Sequence, residues 1–248
     1  MANILDAVDV AIFLGRPETL HDPDQRAAAR ALLPLDELAR VERLVFERDR
    51  LIALASRALQ RRALSRCAPV APADWRFTTD AHGRPAAVAA QAGALAFNVA
   101  NTRGLVVCAV TRGREIGVDV ERLREEVPYE LVDAYFAPAE VAALRTLPAL
   151  AQPLRFAELW TLKEAYLKAR GIGLTLGIAR CRFDFTSGTP TLGLDPALAD
   201  DASTWQLASW SPTPEHRAAL CVRRAEGPPL RIAMVWDAAD ASGRVEML

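Results

Sequence analysis

Residues 8–14 (VDVAIFL) alternate and are rich in β-formers, which predicts a strand. Pro17, Pro23 and the charges around them read as a loop. The spacing then becomes helical. Leu38, Val41, Leu44 and Val45 follow Asp36, a good N-cap after Pro34, and Leu51, Leu54, Ala55, Ala58 and Leu59 carry the period to about Cys67. One long helix or a broken pair is predicted, ended by Pro69 and Pro72. Strands are predicted at 75–79, 94–99 and 104–111, with Arg112-Gly113-Arg114 folding the last back into EIGVDVE (115–121) as a hairpin.

The second half opens on a helical stretch from about Tyr129 to Leu147, broken by Pro138. A helix from about Pro153 to Arg170 follows, stopped by Gly171 and Gly173. Further strands are predicted at 179–185, 203–209, 217–223 and 230–236. Each half, 1–115 and 116–248, thus runs helices first and strands after, with no residue-level repeat. The expectation is an α+β protein of two similar α/β halves related by pseudo-two-fold symmetry, with the active site in the cleft between them.

Composition narrows the classes. With 51% hydrophobic and 25% charged residues over 248 positions, the chain is too apolar for disorder and lacks the uncharged run of a membrane helix. A net charge of −1 advertises neither nucleic acid nor an anionic membrane as a partner. Cys67, Cys108, Cys181 and Cys221 form no metal or redox spacing and read as buried thiols, and no secretory signal is visible, so a reducing cytoplasm is expected. Lys163 and Lys168 are the only lysines; the other 28 of the 30 basic residues are arginine. Where arginine would serve this sequence uses arginine, which suggests that an ammonium is needed at these two positions.

The candidate chemistry sits in two segments. In IGVDVE (116–121), Asp119 and Glu121 project from one face of the predicted strand, and like charges cluster so only on a wet face or beside a cation. In FAELWTLKEAYLKARGIG (156–173), Trp160, Glu164 and Lys168 line one helical stripe. A surface Glu164–Lys168 pair alone is worth only ~0.3–0.5 kcal/mol. The carboxylates Asp119, Glu121 and Glu164 are all-oxygen ligands, while His21, His82 and His216 are scattered, so the donor set selects Mg²⁺ over zinc.

Gly117-Val118-Asp119-Val120-Glu121 followed by Trp160-Thr161-Leu162-Lys163-Glu164-Ala165-Tyr166-Leu167-Lys168 resembles the 4′-phosphopantetheinyl transferases, which carry G-[IV]-D-x-E and W-x-x-K-E-[AS]-x-x-K. The resemblance extends through residues 44–64, Gly83-Arg84-Pro85, Phe97-Asn98-Val99 and Gly171-Ile172-Gly173-Leu174. Length and two-half organisation resemble the monomeric, pseudo-dimeric class that activates synthetases. The resemblance implies transfer of the phosphopantetheine arm of coenzyme A to a serine of an apo-acyl or peptidyl carrier protein, releasing adenosine 3′,5′-bisphosphate. It implies that Asp119, Glu121 and Glu164 hold Mg²⁺ or Mn²⁺, that Glu164 or a water it orients takes the serine proton, and that Lys168 neutralises the phosphates. Arg48, Arg84, Asn101 and Thr102 would contact coenzyme A, together with Asp119 and Lys168.

One motif departs from the family. Its usual Phe-Asn-[IVL]-Ser-His-[ST] reads Phe97-Asn98-Val99-Ala100-Asn101-Thr102, and Asn101 carries no charge and exchanges no proton near neutral pH. Two other classes fit parts of the pattern: a non-catalytic carrier-protein-binding module of the same fold, and a Mg²⁺-dependent phosphohydrolase with water as nucleophile.

Overall fold

The computed structural model describes residues 3–79, 85–173, 178–237 and 245–248. The first β-rich run forms β1 (Val10–Gly15). The segment read as a loop contains a helix, α1 (Pro23–Arg30): the Asp22 side chain accepts from the Asp24 and Gln25 amides, and Pro23 sits where a missing N–H costs nothing. The following periodic stretch is the broken pair, α2 (Leu35–Glu42) and α3 (Glu47–Ser65). Pro34 takes the N-cap position expected of Asp36, which lies in the first turn and pairs with Arg40. Then come β2 (Phe77–Thr79), β3 (Pro85–Ala87), α4 (Ala89–Ala92), β4 (Leu95–Thr102) and β5 (Leu105–Arg112). The remaining elements are β6 (Ile116–Arg122), α5 (Tyr129–Tyr135), α6 (Pro138–Thr146), α7 (Gln152–Arg170), β7 (Cys181–Asp184), β8 (Thr191–Leu194), β9 (Trp205–Thr213), β10 (His216–Arg223), β11 (Ile232–Trp236) and β12 (Val245–Met247).

The expected β5–β6 hairpin does not form. β5 lies between β1 and β4, so both its edges are occupied, and its hairpin partner is β4, across a turn in which Gly104 takes a φ of 89°. β6 pairs instead with β10, Asp119 opposite Ala219, in a separate sheet of order β6-β10-β9.

The chain divides into two compact units, Met1–Arg114 with Leu230–Leu248, and Glu115–Pro229. The division expected from sequence kept 230–248 with the second half; β11 instead pairs in parallel with β1, Val10 opposite Ile232, in the five-stranded sheet β12-β11-β1-β5-β4 of the first unit. The run LRIAMVW shows its β-character but not its partner, because parallel pairing leaves no local turn signal. In the first unit α3 lays Leu59, Ala63 and Leu64 against Phe13, Val106 and Val235. In the second, α7 packs Leu159, Leu162 and Tyr166 with Ala219 and Cys221 of β10. No helix among the described residues is long and apolar enough to cross a membrane.

Candidate active site

Gly117, Asp119 and Glu121 alternate onto one face of β6, and that face meets α7. Gly117 makes the approach close: a Cβ there would come within 3 Å of the Ala165 carbonyl oxygen and the Ala169 nitrogen. With the helix backbone this near, Lys168 reaches across and places Nζ 2.6 Å from Asp119 Oδ1. Glu164 lies one turn earlier on α7, on the stripe expected from sequence.

Asp119 is buried, and its Oδ2 has no hydrogen-bond partner among the described residues. Burial pushes the Asp119 carboxyl above the usual range, opposed by Lys168 and by the Val120 amide. Burial, then repulsion from Asp119, raises Glu164 to about 7, and the same causes with Glu164 added raise Glu121 to about 7 despite Arg124 and Lys168. Three acids thus share one electrostatic environment that is short of positive charge.

As placed, no three acidic, histidine or cysteine side chains among the described residues converge enough to hold a metal ion. Asp119 is instead paired with the Lys168 ammonium. The residues nonetheless fit Mg²⁺: the donor set is carboxylate oxygen, which a hard cation prefers, and Asp119 Oδ2 is a buried acceptor left without a donor.

The other lysine has a different task. Lys163 is fully buried and gives its three ammonium protons to Glu140 Oε2 at 2.8 Å, the Ile178 carbonyl at 2.9 Å and the Cys181 carbonyl. Glu140 in turn accepts from the Ala137 amide at the start of α6 and from the Phe183 amide of β7. A planar five-donor guanidinium does not match this three-acceptor socket, which accounts for one lysine in an arginine-rich chain. Trp160 is half-buried among Tyr135, Phe136 and Phe156, so it serves the packing of α7.

In the first unit, Arg84 lies outside the described residues. Arg48 is exposed, its Nε 3.1 Å from the neighbouring Asp49 Oδ1. Asn101, on β4 opposite Val106, lines a cavity of about 530 Å³ with Arg40, Arg57, Arg76, Gln60 and Phe77. Thr102 follows it, opposite Leu105 and half-buried. Burial holds the Arg57 guanidinium below its usual value; Glu37 opposes this and Arg40 and Arg61 add to it. Asp36 and Glu37 line the cavity too, paired with Arg40 and with Arg57 and Arg61, so its charges are mixed. Sequence reading missed Arg40, Arg57 and Arg76, which are three among 28 arginines; only Arg57 has a local signal, four residues before Arg61 on one face of α3. The larger cavity of about 590 Å³ is lined mainly by apolar side chains, Phe13, Leu59 and Val235 among them, together with Arg66, whose buried Nε has no hydrogen-bond partner among the described residues, and Arg62, which pairs with Asp237.

Comparison with known proteins gives the family. Residues 115–221 match the 4′-phosphopantetheinyl transferase superfamily model and residues 22–112 the model of the 4′-phosphopantetheinyl transferase N-terminal region. The 4′-phosphopantetheinyl transferase HetI of a Nostoc strain is 36% identical over 195 residues, covering 77% of this chain and 79% of that protein. The 4′-phosphopantetheinyl transferase psf-1 of Bacillus pumilus is 26% identical over 217 residues, covering 86% and 90%. A solved holo-(acyl-carrier-protein) synthase from Bacillus anthracis aligns with 45% of this chain and 96% of its own at 19% identity and a TM-score of 0.34. The Asp119–Glu121 strand and the Glu164–Lys168 helix lie inside the matched segment, and the chain belongs to the 4′-phosphopantetheinyl transferase superfamily.

Proposed function

We propose that the protein transfers the 4′-phosphopantetheine arm of coenzyme A to a serine of an apo-acyl or peptidyl carrier protein in a Mg²⁺-dependent reaction. The carrying observation is Asp119: a buried carboxylate with one oxygen on Lys168, the other unpartnered, and two further acids in electrostatic reach. Asp119, Glu121 and Glu164 would hold the cation, which when bound screens the pyrophosphate charge. The serine oxygen attacks the β-phosphorus, the bond to the bridging oxygen breaks, and adenosine 3′,5′-bisphosphate leaves. Glu164, or a water it orients, takes the serine proton. Lys168 offers a positive charge to the phosphates as the leaving oxygen develops its own.

The donor's nucleotide phosphates need cations, and three arginines, Arg40, Arg57 and Arg76, gather around the cavity of Asn101, Arg40 and Arg57 being shared there with Asp36 and Glu37, whereas Arg48 is a single exposed cation paired with Asp49. Asn101 donates a hydrogen bond where the family's histidine would carry charge, and Thr102 follows it on the same strand. The likeness of the two halves is part of the proposal and is supported by a 19-residue helix laid on antiparallel strands in each, α3 and α7. A monomeric state and a cytoplasmic location also belong to it; four buried, unpaired cysteines support the latter.

Intact-mass measurement of an apo-carrier protein incubated with coenzyme A and Mg²⁺ tests the reading. A gain of one phosphopantetheine arm, lost in excess chelator, is expected. No change would leave a non-catalytic carrier-binding module, and coenzyme A breakdown without carrier modification a phosphohydrolase.

A further inference from the structure

The two lysines are held in opposite ways. Lys163 is locked by three acceptors in the core, whereas the Lys168 side chain is 31% exposed and its ammonium has one contact among the described residues, Asp119 Oδ1. Lys168 lies in the last turn of α7, which Gly171 ends at a φ of 65°. Its partner is the most buried acid of the cluster, and that acid's second oxygen, Oδ2, is buried with no hydrogen-bond partner among the described residues. A single flexible ammonium therefore stands on the carboxylate that the metal reading makes the central ligand.

We propose that Lys168 is a placeholder cation: it neutralises Asp119 while no divalent ion is present, and an entering ion displaces it. This rests on the Mg²⁺ reading above and adds a role that reading does not contain. The physical argument is charge balance. Asp119 cannot stay ionised and buried without a nearby positive charge, and one point charge on a four-carbon stem is easily exchanged for another. Arginine in the same place would grip the carboxylate with a bidentate fork and resist exchange. That supplies the reason for the second lysine in a chain that otherwise uses arginine. Released ammonium is then available to an arriving phosphate, so metal entry and phosphate recognition are coupled through one side chain.

The chain's composition makes this measurable. With Lys163 fully buried, reductive methylation of the native protein by ¹³C-formaldehyde reports on Lys168 and the terminal amine only. A nitrogen engaged with a carboxylate is less available for attack than one in water. Labelling followed by peptide mass spectrometry, with Mn²⁺ alone and no coenzyme A, is expected to show Lys168 modified at least threefold faster at saturation, the terminal amine unchanged. Mn²⁺ binding is followed separately by paramagnetic resonance. Binding without a change at Lys168 overturns the placeholder role and leaves the metal reading standing; absence of binding overturns both. Lys168→Met is expected to bind Mn²⁺ at least tenfold more tightly than wild type and Lys168→Arg more weakly. Equal affinities for the Met and Arg variants overturn the proposal, and so does an Arg variant as tight as wild type, since plain repulsion would treat Lys and Arg alike.

Discussion

Substituting Gly117 by alanine tests whether the closeness of β6 and α7 builds the site. The new Cβ would fall inside 3 Å of the Ala165 oxygen and Ala169 nitrogen, and 3.1 Å from the Ala165 carbonyl carbon, where ordinary contact begins at 3.4 Å. These are backbone atoms of a buried helix, so no side-chain rotation relieves the overlap. Ala165 is fully buried, Ala169 and Leu162 nearly or fully so, and α7 moves only by unpacking that surface from β6 and β10. Overpacking of a dense core costs about 1–3 kcal/mol, and a clash against backbone belongs at the upper end. At about 2–4 °C per kcal/mol for a chain of this size, Gly117→Ala lowers the melting temperature by about 6–12 °C. Any displacement of α7 also draws Lys168 and Glu164 away from Asp119, so carrier modification should fall by more than tenfold at temperatures where the variant is still folded. Scanning calorimetry and the intact-mass assay decide it. A variant within 2 °C of wild type, with unimpaired transfer, would refute the claim that this glycine sets the helix–strand distance.

What the sequence displayed was local. Apolar periodicity located β1, α3, α7 and β10, and the G-V-D-V-E and W-x-x-K-E segments marked the elements that meet at Asp119. Pairing was hidden. A turn at Arg112-Gly113-Arg114 suggested a hairpin, yet β5 was already flanked by β1 and β4, and only the tertiary structure reveals which edges are occupied. The same limit assigned 230–248 to the wrong unit, since the partner of β11 lies some 220 positions away. Side-chain placement was legible where two signals coincided. Lys168 and Asp119 had both motif and face; Lys163 had equal prominence, but its socket is made of carbonyls from 178 and 181 and a carboxylate from 140, none of which a helical wheel shows. Arg48 drew notice by position in a motif, whereas Arg40 and Arg76 reach the cavity of Asn101 from separate elements, and nothing in their neighbours' types distinguishes them from other arginines.

The remaining expectations follow from these placements. Lys163→Met leaves Glu140 buried without its cation and should cost about 3–5 kcal/mol in urea unfolding, more than half of it recovered by adding Glu140→Gln. No recovery would show that Lys163 acts through something other than that pair. Arg57→Ala should raise KM for coenzyme A about tenfold with little change in kcat, while Arg48→Ala stays within twofold; the reverse order would move the nucleotide out of the arginine-lined cavity. Glu164→Gln should lower turnover at least a hundredfold while coenzyme A affinity changes less than threefold, and near-normal turnover would remove Glu164 from the chemistry. The last expectation concerns acid stability and Asp200. Burial alone would raise this carboxyl, but hydrogen bonds from Arg223, Tyr166, Trp205 and Arg170 outweigh it and hold it at about 2, against an ordinary 3.8. Its side chain is 5% exposed, with Tyr166 Oη and Trp205 Nε1 each 2.9 Å from Oδ2 and Arg223 Nη1 2.9 Å from Oδ1. A carboxyl depressed in the folded state contributes stability that is present above its unfolded value and lost as pH falls through its folded one. The drop from 3.8 to about 2 corresponds to about 2 kcal/mol, fully present at pH 5 and above and fading between about pH 4 and pH 2. Urea unfolding of wild type and Asp200→Asn should therefore differ by about that amount at pH 7 and pH 5, and by clearly less at pH 3. A gap that is the same at all three would mean that the network holds through shape and neutral hydrogen bonds, with the charge of Asp200 contributing nothing.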